Sequence, residues 1–215
     1  MINYEVTLIG LGGIGSWVAN KVARLGCTRL VLCDPDIVEP HNLQNQDYDY
    51  QHIIRPKVQA TELKIYGLAQ WHRDHGREMR IVARQERVGP DTKLRGIVVV
   101  AVDSAQARRE IFSACCYHRG IPLYIEAGAA ENRGAVRVLS PHDKDQVKLY
   151  ERLLEAYSEE GPAPCVTPHM SGQFASIITH WILRFNDGWR PLTMVETSID
   201  YRQDFDSYVV TEPIL

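Results

Sequence analysis

Along most of the chain, short apolar runs alternate with amphipathic ones, and glycine or proline marks many of the changes of period. Tyr4–Gly10 is a mostly apolar run of strand length, closed by a glycine turn, as expected of a strand buried on both faces. Val18, Val22, Ala23 and Leu25 then recur at helical spacing, and Gly26 stops that helix. Arg29–Asp34 reads as the next strand, so strand, turn, helix and strand fall within about thirty residues, one right-handed crossover. After a polar stretch the pattern predicts a helix over Lys57–Leu68, a short strand over Arg80–Gln85 and a central, strongly apolar strand over Gly96–Val102. A helix over Ala105–Arg119 and a strand over Pro122–Ala127 follow. Strands alternating with helices in this way predict a doubly wound sheet.

The pattern changes beyond Gly128. Val136–Leu139 reads as a strand, Asp143–Glu160 as a polar helix, Gly161-Pro-Ala-Pro164 as a break and Met170–Phe185 as an amphipathic helix. Phe174, Ile177, Ile178, Trp181 and Phe185 form a stripe suited to a core or a dimer interface. The last thirty residues read as irregular and aromatic, packed on the same domain or on a partner. The expected class is α/β: a Rossmann-like doubly wound, mostly parallel sheet with helices on both faces and a C-terminal extension. Residues 1–140 would be the nucleotide-binding domain. Residues 141–215 would supply a crossover loop, the amphipathic helix and the extension.

Composition narrows this little. With 45% hydrophobic and 24% charged residues the chain is of average globular make-up. A net charge of −3 does not point to nucleic acid or to a membrane surface. No apolar run is long enough to span a bilayer, and the start of the chain has no secretory pattern. The five cysteines show no paired framework, so a cytoplasmic setting is expected.

Gly10, Gly12, Gly13 and Gly15 follow a strand and open a helix, the context in which such a turn brings backbone N–H groups against a phosphate. Ser16 could add a hydroxyl. Asp34 ends the second strand and Asp36 lies two residues on; either can receive a ribose hydroxyl, and either can cap the following loop. Beyond them come Asn42-Leu43, Gln46, Lys57, and Asp103 with Arg108. In these ordered landmarks the chain resembles the ThiF/MoeB/HesA family, prokaryotic relatives of the ubiquitin-activating enzymes. The resemblance covers about residues 4–140 well and the remainder loosely.

That resemblance implies ATP-dependent adenylation of the C-terminal carboxylate, usually Gly-Gly, of a small carrier or ubiquitin-like protein, by a homodimer. It implies that Lys57 serves the α-phosphate, that Asp103 holds Mg²⁺, and that Asn42 and Gln46 join the nucleotide site. Lys57 as a solvated helix-start lysine, and Asp103 as the N-cap of the helix near Ala105, are the plainer alternatives. Cys165, in a polar loop before the amphipathic helix, is a candidate thioester nucleophile or a small apolar filler.

Asn45 stands where the family carries an arginine, and the helix that often precedes the first strand is missing, so Arg24, Arg55 or a partner chain would have to supply the charge. Those departures favour a non-catalytic partner or scaffold; Lys57, Asp103 and Arg108 argue against one. An NAD(P)-dependent oxidoreductase would explain the glycine turn and Asp34 but leave Asn42, Lys57 and Asp103 idle. Cys115 and Cys116 are adjacent and form no zinc pair. His72 and His75 read as part of a solvated face, and His180 as a packing residue.

Overall fold

A computed structural model describes residues 1–130, 133–156, 166–200 and 208–211, the last four as backbone. Eight strands form one sheet in the order β3-β2-β1-β4-β5-β6-β7-β8. They are β1 (Ile2–Ile9), β2 (Cys27–Cys33), β3 (Arg80–Arg84), β4 (Ile97–Val100), β5 (Leu123–Ala130), β6 (Arg133–Leu139), β7 (Val195–Asp200) and β8 (Tyr208–Thr211). The first five are mutually parallel, and β6, β7 and β8 each pair antiparallel with the strand before them. The chain winds outward through β1, β2 and β3, then returns to the other side of β1 as β4. The strand order therefore reverses between β1 and β4, where such sheets open a crevice at their carboxyl ends.

Helices α1 (Gly15–Leu25), α2 (Lys57–Asp74) and α5 (Pro168–Asn186) cover one face, and α3 (Ala105–Cys115) and α4 (Lys144–Ala156) the other. Within the apolar strands alternate residues serve opposite faces. Leu30, Leu32, Ile97 and Val99 face the first helix layer, while Val31, Cys33, Val98 and Val100 face the second. Burial on both faces is why these strands read as unbroken apolar runs. Phe174, Ile178, Trp181 and Phe185 of α5 lie in the core, so that stripe is spent within the chain.

Four expectations change. The last thirty residues include β7 and β8, which extend the sheet, because Val195 and Ile199 give β7 an apolar face on the core. Helix α2 runs to Asp74, six residues beyond the expected end, across a glycine at position 67. That length carries His72 inward: it is buried, bonds the Ala23 carbonyl through Nε2 at 3.0 Å, and lies against Gly26. It is not part of a solvated face. Helix α3 ends at Cys115, and Cys116 is its half-buried cap.

Candidate functional site

Between the carboxyl ends of β1, β2 and β4 lies a cavity of about 380 Å³, within the range of small-molecule sites. The glycine turn forms one wall. Gly10 has φ +88°, and a Cβ there would meet the Ala101 carbonyl oxygen at 2.6 Å. Gly15 packs on the Gly10 carbonyl, where a side chain would strike backbone. Gly13 is covered by Val166, the described residue nearest the start of α5 that also lines the cavity. A Cβ at Gly12 would meet no described residue within 4 Å, which leaves open space beside the cavity. Three of the turn's glycines thus answer to the fold, and Gly12 leaves the backbone approachable.

The turn is held from beneath. The Leu11 amide donates to Asp34 Oδ2 at 2.6 Å, and the Leu11 carbonyl accepts from the buried Tyr48 hydroxyl at 2.9 Å. Asp34 Oδ1 accepts from the Asp36 amide at 2.8 Å. Burial raises the Asp34 pKa above the usual carboxylate value, with the nearby Lys57 charge opposing that rise. Ser16 does not offer a free hydroxyl: it donates to the Gly12 carbonyl at 2.8 Å and accepts from the Asp47 amide at 2.9 Å.

Lys57 opens α2 but is not solvated. It is buried, and its Nζ donates to Asp36 Oδ2 at 3.0 Å, while the Asp36 side chain is 62% exposed. Gln46 lines the cavity with a buried Oε1 that has no hydrogen-bond partner among the described residues. Asn42 is not brought to the cavity. Its Oδ1 accepts from the Glu39 amide at 3.0 Å, closing a capping box on a short 3-10 turn. Asn45 lines the cavity and donates through Nδ2 to the Val166 carbonyl at 3.1 Å, fastening the approach to α5 onto the glycine turn. Arg24 and Arg55 lie outside the cavity. Cys165 falls outside the described residues.

Asp103 is exposed at the cavity's edge, just past β4. It does not cap α3; the Ser104 hydroxyl does, accepting from the Ala107 amide. Two further cations line the cavity: Arg87, which the sequence did not single out, and Arg108, the landmark that follows Asp103. Arg87, past the end of β3, pairs with Glu110 at 3.7 Å, and Arg108 of α3 pairs with the fully buried Glu126 of β5. Arg108 also donates through Nη2 to the Val102 carbonyl at 2.6 Å. Glu126 Oε2 accepts from Arg137 at 3.1 Å, and Arg137 Nε meets Glu196 at 2.6 Å. The position of Arg87 at a strand's carboxyl end, and a carboxylate inside the apolar run Pro122–Ala127, were the available signals.

Among the described residues the cavity is lined by four carboxylates (Asp34, Asp36, Glu86, Asp103) and three cations (Lys57, Arg87, Arg108), each cation already paired with an acid. A bare triphosphate would meet no surplus positive charge. One carrying Mg²⁺ brings its own neutralisation, and Mg²⁺ is usually bound through one or two carboxylates plus phosphate oxygens. Asp103 fits that use. No group of three metal-ligating side chains occurs among the described residues, so a dedicated protein cage is not offered there. No described helix is long and apolar enough to cross a membrane.

The sequence matches the ThiF family over residues 1–208. It is 32% identical over 146 residues to the sulfur carrier protein ThiS adenylyltransferase of Escherichia coli (strain K12), covering 66% of this chain and 55% of that protein. It is 28% identical over 131 residues to the tRNA threonylcarbamoyladenosine dehydratase of the same organism, covering 58% and 46%. The chain thus spans about half the length of these curated relatives. Among solved structures, E. coli MccB with ATP is similar with a TM-score of 0.69 at 17% identity, over 93% of this chain and 61% of that one. That likeness concerns the fold.

Proposed function

The chain belongs to the ThiF family, and on that premise we propose that it binds Mg·ATP in this cavity and transfers AMP to a carboxylate. The observation that carries the reading is the convergence of Gly12's open backbone, Lys57 and Asp103 on one cavity at the strand-order reversal. A carboxylate oxygen attacks the α-phosphorus, the bond to the bridging oxygen breaks, and pyrophosphate leaves with the electron pair. Backbone N–H groups at Gly12 and the start of α1 hold phosphate oxygens. Lys57 exchanges Asp36 for the α-phosphate, where charge grows during attack. Asp36, exposed, is then free for a ribose hydroxyl, while Asp34 fixes the turn. Gln46 offers its unpartnered oxygen to the bound ligand. Asp103 would hold Mg²⁺, which supplies charge neutralisation between the phosphates when bound.

The carboxylate is that of a small carrier or ubiquitin-like protein ending in Gly-Gly, taken up by a homodimer in the cytoplasm. The adenylyltransferase relative, named for a sulfur carrier protein, supports this choice; the dehydratase, named for a modified tRNA nucleoside, marks the competing class of acceptor. Labelled pyrophosphate should exchange into ATP when a carrier with an intact C-terminus is present, and not when its last residue is removed. Absence of exchange with every candidate carrier would overturn the protein-carboxylate reading. Titration with Mg·ATP against NAD⁺ separates adenylation from oxidoreduction, since only ATP should bind.

A further inference from the structure

We infer that Glu126 is a positioning residue for the metal-holding end of the site, acting on Asp103 through Arg108. The inference rests on the adenylation reading for its ligand, but its geometry is a property of the free chain. Asp103 sits on an exposed loop, and a carboxylate that must meet a metal needs its backbone fixed by neighbours. Two contacts fix it. On its carboxyl side Ser104 caps α3, and on its amino side Arg108 Nη2 grips the Val102 carbonyl at 2.6 Å.

Arg108 can hold that grip because its other arm is anchored. Glu126 is fully buried and receives Nη1. Gly128, two residues on, leaves the space the guanidinium fills; a Cβ there would strike it. The planar fork of arginine reaches a carboxylate and a carbonyl at once, which an ammonium on a flexible stem does not do with fixed geometry. Glu126 is itself held by Arg137, and Arg137 by Glu196. These residues lie in one line across the sheet, since Val100, Glu126, Arg137 and Glu196 are successive register partners on β4, β5, β6 and β7. Well-packed apolar residues in such places are often as stabilising as buried ions. What the charges add is direction: the row ends on the peptide that precedes Asp103.

Three variants test this. Glu126→Gln keeps shape and removes the charge that anchors Arg108. Arg108→Lys keeps a charge opposite Glu126 but loses the second arm. Glu196→Gln breaks the same row two strands away, leaving Arg108 and Glu126 intact. In nucleotide-free protein, ¹⁵N relaxation should give Asp103 an order parameter near ~0.85 in the wild type, falling toward ~0.6 in the first two variants. The third should match the wild type. In titrations of ATP, the Mg²⁺ concentration giving half-maximal binding should rise about tenfold in the first two and not in the third.

Equal effects in all three, or an unmoved Asp103, would overturn the inference, as would a loosened Asp103 with unchanged Mg²⁺ dependence. If the wild type binds no ATP at any Mg²⁺ concentration, the adenylation reading falls, and the relaxation data still judge the positioning.

Discussion

Substituting alanine at Gly12 and at Gly10 should separate a glycine kept for a ligand from one kept for the fold. At Gly12 the added methyl meets no described residue within 4 Å and the backbone is not left-handed. Folding stability should therefore hold or rise, by about 0.4–1 kcal/mol, because alanine narrows the unfolded ensemble. At Gly10 the backbone stands at φ +88°, and the methyl would lie 2.6 Å from the Ala101 carbonyl oxygen. The left-handed conformation costs about 1–2 kcal/mol for a residue with a Cβ, and forcing atoms into packed space adds roughly 1–3 kcal/mol. Gly10→Ala should lose on the order of 2–5 kcal/mol, a large fraction of the roughly 5–15 kcal/mol margin of a typical domain.

Binding should show the reverse order. In the proposed nucleotide site the Gly12 methyl would stand where a phosphate approaches backbone N–H groups, and one charge-assisted hydrogen bond is worth about 1.5–3 kcal/mol, or roughly 10- to 150-fold in Kd. Urea melts and calorimetric titration with Mg·ATP measure the two quantities on the same preparations. Wild-type ATP affinity in Gly12→Ala, or a stability loss matching that of Gly10→Ala, would refute this account of the turn.

Other outcomes follow from the same geometry. Lys57→Met should lower pyrophosphate exchange by about 10²–10³ with a small change in the urea midpoint, since the Asp36 carboxylate it abandons is 62% exposed and stays solvated. Burial pushes the Cys27 and Cys33 thiols up to about 12 from 9.0. The folded chain therefore holds these protons more tightly than the unfolded one, and their stabilisation is complete below pH 9 and lost as pH rises toward 12. Between pH 8 and 10 each thiol should cost about 1 kcal/mol of unfolding free energy, and a Cys27→Ala/Cys33→Ala double variant should show a flatter slope in urea melts. His72→Ala should cost roughly 2 kcal/mol, because its ring fills the space over Gly26 and bonds the Ala23 carbonyl; an unchanged urea midpoint would contradict that placement.

The parallel half of the sheet was legible because strands buried on both faces announce themselves as apolar runs between helical periods. Asp34 was legible because it ends a strand, whereas Lys57 and Asp103 were legible through the family resemblance; each of the three stands at a boundary between a regular element and a turn. What escaped lies inside elements or depends on distant partners. His72 looked solvated beside Arg73 and Asp74, yet the helical period turns it inward while they face out. Strand β7 reads as a weak pattern because Glu196 and Thr197 interrupt its apolar residues; their partners, or the space they fill, lie on other strands. Asn42 followed the expected motif, but a capping box uses the same residue type that a ligand would. The Ser104 cap was hidden by its neighbour, since aspartate and serine both favour that position.

The line of charges that crosses β5, β6 and β7 has a consequence for assembly of the sheet. β5 is where parallel pairing gives way to antiparallel pairing, and the buried charges add to what the buried Val136 and Val138 of β6 already specify about its alignment. A slip by one residue would turn Arg137 to the opposite face and leave Glu126, fully buried, without its cross-strand partner. Removing one partner of a buried ion pair costs up to about 3–5 kcal/mol; Glu126 keeps Arg108, so a misaligned pairing loses part of that in addition to the burial of Val136 and Val138. The charges act as a key for the C-terminal strands: they admit them to the parallel core in one alignment, the one that places Gly134 against Ala129 and Arg137 against Glu126.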